Sequence, residues 1–226
     1  MANFMIIPTW FLGYNIILEA VFALITLIVS RYAFKLYKLS EQRQLMLFGM
    51  AFLSISISYF IQSLLNFAIL FNLTEDICHM VKANNLNSLN FIGVYTYVIF
   101  FTFGLMLLFF MTLRIKDAKI FSLIFLIVLS AIFLSANILF MFYLVSSIML
   151  LSVCLHYLKN YLDKKQTKTL LVLIAFVFLL FGRVHFIFAL NHGTYYVLGH
   201  VLELGAYGLI LINLLRVLSK NEQKTR

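Results

Sequence analysis

Long runs of apolar residues, separated by short polar stretches, cover most of the chain. Several of these runs reach the length of about 20 residues that an α-helix needs to cross a bilayer. None shows the short alternating segments of a transmembrane β-barrel. The pattern therefore predicts an all-α integral membrane protein. We expect a single domain over residues 1–226, with seven transmembrane helices at about 9–29, 45–71, 89–113, 120–134, 138–158, 169–190 and 195–218.

Two of these boundaries depend on polar residues. The apolar run over residues 120–158 is too long for one helix, and the sequence Ser-Ala-Asn at 135–137 is its most polar interruption. Asparagine is favoured in tight turns because its side chain can hydrogen-bond to nearby backbone. We therefore place the turn between the fourth and fifth helices there, which makes the fourth helix short. The polar stretch over residues 72–88 is predicted to be an outer loop.

Composition supports a membrane location. Of the 226 residues, 64% are hydrophobic and only 11% are charged, whereas a soluble domain carries roughly a quarter charged residues. Too few polar side chains remain to cover a surface that faces water. The formal net charge is +9, but the basic residues lie at the ends of the apolar runs. That position is typical of topology signals and contacts with lipid headgroups, and it does not indicate nucleic-acid binding.

The distribution of basic residues predicts the orientation of the chain. Of the 17 lysines and arginines, all except Lys82 and Arg183 fall on one side of the membrane. That side holds the C-terminus and the loops that join helix 1 to helix 2, helix 3 to helix 4 and helix 5 to helix 6. Cytoplasmic loops carry an excess of such residues. We therefore expect a cell-membrane protein with its N-terminus outside and its C-terminus in the cytoplasm, where basic loops could contact a partner protein. Cys78 and Cys154 then lie on opposite sides of the membrane, so we do not expect them to form a disulfide.

The last apolar segment carries a polar stripe. Tyr196, His200, Glu203 and Tyr207 are spaced by four, three and four residues. At about 100° per residue, the four side chains lie within roughly 40° of one another on one face of a helix. A carboxylate beside an imidazole is expensive to place in lipid, so such groups usually face the bundle interior and mark a functional site.

Other predicted helices carry polar residues at a similar depth. Glu19 lies in the first helix, Gln62 and Asn66 in the second, Tyr95 in the third and Arg183 in the sixth. Most of them fall in the outer half of the membrane, within a layer about 10 Å thick at 1.5 Å per residue. Together with the stripe they predict a polar, ligand-binding pocket that opens outward.

Each of these residues also has a purely structural interpretation. The serines at positions 54 and 58 could allow close helix packing, because small residues let two backbones approach. Gln62 and Asn66 could form hydrogen bonds between helices. Arg183 could form a structural ion pair with Glu203 or Glu19. Because arginine does not deprotonate in proteins, at least one nearby carboxylate is then ionised, and the other is a candidate for proton binding.

These residues support three functional hypotheses. The favoured one is a sensor or receptor that binds a small molecule through the nine residues named above, and this favours a binding protein over an enzyme. The second is a small proton-coupled transporter that uses Glu19 and Glu203. The third is a redox protein that holds a metal ion or haem. His185, His200 and Glu203 are its candidate metal ligands, although their spacing matches no established metal motif. Retinal is not expected, because its Schiff base needs a lysine within the last helix and no lysine lies inside a predicted span.

Overall fold

A computed structural model describes residues 11–74, 79–113, 115, 117–189 and 192–224, with the side chains of residues 12, 69–90 and 218–224 left out. These ranges contain seven α-helices and no strand, which confirms the predicted all-α fold. The helices are α1 Leu12–Ser40, α2 Arg43–Thr74, α3 His79–Leu113, α4 Ala118–Phe133, α5 Ile138–Lys164, α6 Thr167–Ala189 and α7 Gly193–Lys224.

Six of the helices in the described ranges are long and apolar enough to cross a membrane, with spanning segments of 23 to 28 residues. The exception is α4, whose 16 residues extend about 24 Å at 1.5 Å per residue. The chain turns after α4 at residues 134–137, where the Asn137 side chain caps α5 by accepting a hydrogen bond from the Phe140 amide at 3.1 Å. The protein is thus a multi-pass membrane protein with a helical bundle.

The predicted outer loop over residues 72–88 is wrong in the part that the structure describes. The second helix continues to Thr74 and the third begins at His79, ten residues before the predicted start; residues 75–78 lie outside the described ranges. The stretch contains neither glycine nor proline, the two residues that most strongly interrupt a helix. The polar residues of this stretch end the apolar runs, but in the described part they do not end the helices α2 and α3. The first helix likewise continues to Ser40, eleven residues beyond its predicted end.

The helices other than α4 pack as a ring. Helices that follow one another in the chain are in contact in four pairs: α1 with α2, α2 with α3, α5 with α6, and α6 with α7. Contacts of α3 with α5 and of α1 with α7 close the ring. The short α4 packs on the outside, against α3 and α5. All of its side chains are described, and Ile132 is the buried one. The ring encloses a core in which polar side chains from several helices meet.

Serine hydroxyls join the early helices, in agreement with the packing interpretation. Ser54 on α2 donates to the Phe100 carbonyl of α3 at 2.7 Å, and Ser56 donates to the Ala23 carbonyl of α1 at 2.8 Å. Ser58 instead donates within its own helix. Bonds of this kind can form only where two backbones lie close together, as small side chains permit.

Candidate functional site

A buried ion pair lies at the centre of the bundle. Arg183 of α6 and Glu203 of α7 are both 0% exposed, and Nη2 of the arginine lies 2.7 Å from Oε1 of the glutamate. The guanidinium carbon also lies 3.9 Å from the centroid of the Phe101 ring, within the range of a cation–π contact. Arginine suits this position because its planar group can be paired, hydrogen-bonded and stacked at the same time.

Two glycines bring the helices of this pair close together. A Cβ atom added to Gly182 would lie 3.2 Å from the backbone oxygen of Gly199 and 3.4 Å from Cγ of Glu203. A Cβ added to Gly199 would lie 2.6 Å from the Phe186 ring. The absence of side chains at both positions lets the two helices approach, so that the charged groups meet directly.

Three tyrosines surround the ion pair. Arg183 donates from Nη1 to the Tyr97 hydroxyl at 3.1 Å and from Nη2 to the Tyr59 hydroxyl at 3.2 Å. The hydroxyls of Tyr59 and Tyr207 are hydrogen-bonded to each other at 3.1 Å. These contacts connect α6 with α2 and α3, and α2 with α7. The guanidinium is therefore hydrogen-bonded to hydroxyl groups of two neighbouring helices, α2 and α3.

His200 lies beside the ion pair in an aromatic environment. Its Nδ1 is 3.4 Å from Oε2 of Glu203, and its ring stacks on Phe11, which precedes α1, and on Phe22 of α1, at centroid distances of 6.1 and 5.8 Å. The rings of Tyr196 and His200 meet edge to face, with 4.6 Å between their centroids. Both ring nitrogens are buried and make no hydrogen bond within the described ranges. Nε2 of the imidazole thus has no polar partner among the described residues.

Glu19 forms a second buried carboxylate site. Its Oε1 accepts hydrogen bonds from the Asn15 and Asn66 amides at 2.9 and 3.1 Å, and its Oε2 accepts from Asn66 at 2.8 Å. Tyr196 of α7 donates its hydroxyl proton to Oδ1 of Asn15 at 3.0 Å. Among the residues that the structure describes, no cationic side chain forms an ion pair with Glu19. Among the described residues, neutral amides are therefore the hydrogen-bond donors to this carboxylate.

Seven of the nine predicted ligand-binding residues meet in this buried set, which we call the core cluster. They are Glu19, Asn66, Arg183, Tyr196, His200, Glu203 and Tyr207. Gln62 is half-buried at the edge, beside Gly93 of α3, and its Oε1 has no partner among the described residues. Tyr95 is not brought to the cluster, because its ring stacks on that of Phe133, the last residue of α4, with 4.9 Å between the ring centroids.

The predicted metal ligands are not brought together either. Nδ1 of His185 lies 2.7 Å from the Phe181 carbonyl of its own helix, and its ring contacts Tyr195. His200 and Glu203 lie in the core cluster. His185 is two residues from Arg183, so the two side chains lie about 200° apart around α6. Within the described part of the chain, no group of three histidine, cysteine, aspartate or glutamate side chains is placed to hold a metal ion.

Two further tyrosines, Tyr59 and Tyr97, belong to the core cluster through their contacts with Arg183, and they were not predicted from the sequence. Tyr59 lies three residues before Gln62, on the polar face of α2, and that spacing could have identified it. Tyr97 lies two residues after Tyr95, on a different face of α3. The membrane-spanning part of the third helix, Phe91–Leu113, is apolar on nearly every face, so its sequence does not show which face is directed inward.

The charges of the core cluster do not balance. Two buried carboxylates, of Glu19 and Glu203, accompany a single guanidinium. An uncompensated charge in a low-dielectric interior costs several kcal/mol even after relaxation. One further positive charge, supplied by a proton on Glu19 or His200 or by a bound cation, would make the cluster neutral.

Comparisons of the chain with protein-family models, curated proteins and solved structures find no match. Function is therefore inferred from the residues of the core cluster.

Proposed function

We propose that the chain is a cell-membrane protein of the sensor or receptor type, in which the core cluster binds one small cationic species. The observation that supports it is the unequal number of buried charges, with two carboxylates against one guanidinium. In the predicted orientation the cluster lies in the outer half of the bilayer. Either a proton or a small cationic ligand would satisfy the charge requirement.

Glu19 is the residue at which we expect binding. Glu203 already has a cation at 2.7 Å, whereas the partners of Glu19 in the described ranges are the amides of Asn15 and Asn66. Amide donors stabilise a carboxylate but do not neutralise it. The aromatic rings of Phe11, just before α1, and Phe22 of α1, both stacked on His200, add faces that attract cations.

Binding at Glu19 can be transmitted to the last helix. Asn15 donates to Glu19 and accepts from Tyr196 on α7, and His200 lies one turn later on the same helix. A cation that displaces an Asn15 hydrogen bond would alter the contact between α1 and α7. We expect this change to reach the basic loops on the predicted cytoplasmic side, where a receptor would contact its partner protein.

A proton-coupled transporter is the second candidate function. It is favoured by the presence of two carboxylates in one cluster, one of which is tied to arginine while the other is not. Transport requires in addition that the cluster be reached from both sides of the membrane in turn. The two candidate functions therefore share a binding step and differ in whether the bound species then crosses the membrane.

Infrared difference spectroscopy of the purified protein at two pH values tests the binding step. Loss of a proton removes the carbonyl band of a protonated carboxyl group. We expect Glu19→Gln to abolish that band, and the exposed control Asp163→Asn to keep it. His200→Gln tests the alternative proton site, whose signal is an imidazole band. If neither core variant changes the spectrum at any pH, the proposed proton binding is wrong.

Reconstitution into liposomes separates the two functions. A transporter in vesicles with an imposed pH gradient should acidify or alkalinise the lumen, and Glu19→Gln should stop this flux. A sensor should bind the proton in the infrared experiment but carry no flux.

A further inference from the structure

A groove runs between α1 and α2 near the C-terminal end of α1, far along the helix from the core cluster. Its volume is about 890 Å³. One end is lined by Leu27, Ile28 and Leu53, and the other by Arg31, Lys35 and Lys38. The groove thus has an apolar part and a basic part in sequence along the helix.

The basic part exists because α1 continues beyond the apolar run. Arg31, Lys35 and Lys38 are spaced by four and three residues, which places them within about 60° on one face of the helix. The stretch over residues 31–40 contains no aspartate or glutamate. The first acidic residue after them is Glu41, which caps the end of α1. The three cations therefore form a local patch of net positive charge.

Helix geometry directs these side chains toward the membrane. Each Cα–Cβ bond of an α-helix tilts toward its N-terminus, and the N-terminal side of this patch is the apolar, membrane-spanning part of α1. Lys35 and Lys38 lie about 6 and 10 Å beyond Arg31 at 1.5 Å per residue. Their long flexible stems can reach back along the helix, so that all three charges approach the same headgroup layer.

The apolar part continues in line with the patch. Leu24, Leu27 and Ile28 are 60%, 46% and 41% exposed and lie on the same side of α1 as the cations. The ring of Phe34 forms the floor of the groove, where it fits into the space left by Gly49 of α2. From Leu24 to the patch, the wall is about 10 Å long at 1.5 Å per residue, within the roughly 15 Å of one leaflet's hydrocarbon layer.

We propose that this groove binds an anionic phospholipid. The phosphate would lie between Arg31, Lys35 and Lys38, and an acyl chain would lie along Leu27, Ile28 and Leu53. A free phosphate would leave the apolar wall without a partner, and an acidic protein segment would not extend into the hydrocarbon layer. In the predicted orientation the groove faces the cytoplasmic leaflet, which carries anionic lipids.

Native mass spectrometry of the purified full chain tests this site. The protein is released from micelles that contain phosphatidylglycerol or phosphatidylcholine, and retained lipids are counted. We expect the protein to retain one molecule of phosphatidylglycerol. We expect it not to retain phosphatidylcholine. The triple variant Arg31→Gln/Lys35→Gln/Lys38→Gln should bind it about 100-fold more weakly, if each cation near the headgroup layer contributes about fivefold.

A matched variant controls for charge. Lys159→Gln/Lys164→Gln/Lys168→Gln removes the same charge from exposed positions beside the α5–α6 turn and should retain the lipid. Equal loss in both variants would mean nonspecific attraction and would overturn the proposal.

Two further measurements address the other occupants. The variant Leu27→Ala/Ile28→Ala keeps every charge and should still weaken retention, because it shortens the apolar wall. Inorganic phosphate should not compete with phosphatidylglycerol, and effective competition would identify an anion site without an acyl subsite. If the groove variants change the number of protein copies instead of the number of lipids, the groove is an interface between copies and the proposal is wrong.

Discussion

Replacement of Arg183 by leucine should strongly destabilise the bundle. The substitution leaves Glu203 at a position that is 0% exposed, without the guanidinium that lies 2.7 Å away. It also removes the donors to the hydroxyls of Tyr59 and Tyr97. Leucine restores part of the apolar volume, so the main effect is electrostatic.

The contacts of the core cluster set the size of this effect. Breaking a buried ion pair by removing one partner typically costs about 3–5 kcal/mol, because the other charge stays buried. Two features reduce the loss here. Tyr59 keeps its hydrogen bond to Tyr207, and the polar imidazole of His200 remains 3.4 Å from Glu203. We therefore expect about 3 kcal/mol, at the lower end of this range.

The free energy of unfolding can be measured by titrating the protein in mixed micelles with a denaturing detergent and following the helical circular dichroism. Ser58→Ala is the matched control. Ser58 is also 0% exposed, but its hydroxyl donates only to the Ile55 carbonyl of its own helix, so its loss should cost about 1 kcal/mol or less. Arg183→Leu should be clearly less stable than this control.

A double-mutant cycle identifies the origin of the loss. Glu203→Gln alone leaves the arginine without its counter-charge and should also destabilise the protein. The double variant Arg183→Leu/Glu203→Gln removes both charges and should recover part of the summed loss, since residues in contact are not additive. If Arg183→Leu is as stable as Ser58→Ala, or if the double variant shows no recovery, the ion pair does not carry the stability assigned to it.

Three further predictions concern other parts of the molecule. Cys78 should react with an impermeant thiol reagent applied to intact cells, and reaction only after lysis would invert the predicted topology; Cys154, which is buried, should remain unlabelled. Gly104→Ala should lower thermal stability, because its Cβ would lie 2.8 Å from a backbone oxygen of α2, whereas Gly208→Ala, with nothing within 4 Å, should be neutral or slightly stabilising. Tyr207→Phe should lose about 1 kcal/mol of unfolding free energy with its hydroxyl contact, and a larger loss would point to altered packing.

The polar stripe of α7 shows what the sequence can predict about this site. Tyr196, His200, Glu203 and Tyr207 share a face because the helical period requires it, and all four are buried. A charged group in an apolar helix has few stable locations, so its direction toward the bundle interior could be deduced from spacing and polarity alone. The same reasoning anticipated an ion pair between Arg183 and one of two glutamates.

The sequence contains less information about α3 and about the helix ends. Tyr95 and Tyr97 are equally plausible members of the site by type and depth, and the choice between them depends on which helices surround α3. That is a property of the whole bundle. Some residues beyond the apolar runs lie outside the membrane but still within a helix. Polarity determines where the membrane-spanning part ends, whereas local backbone preference determines where the helix ends. The groove beside Arg31 therefore could not be predicted, because it requires α1 to continue as a helix past its apolar end.

The pairing of buried charges has a consequence for the synthesis of the protein. Glu19 accepts a hydrogen bond from Asn66 on the next helix in the chain. Arg183 likewise forms its ion pair with Glu203 on the next helix. Each of these charged side chains, which are costly to place in lipid, can thus enter the bilayer within a helical hairpin that already contains its partner. The two hairpins are α1 with α2 and α6 with α7. The tyrosine contacts between the hairpins can form later. A nascent chain that stops after α6 exposes Arg183 to lipid, and it is this intermediate that we expect cellular quality control to recognise.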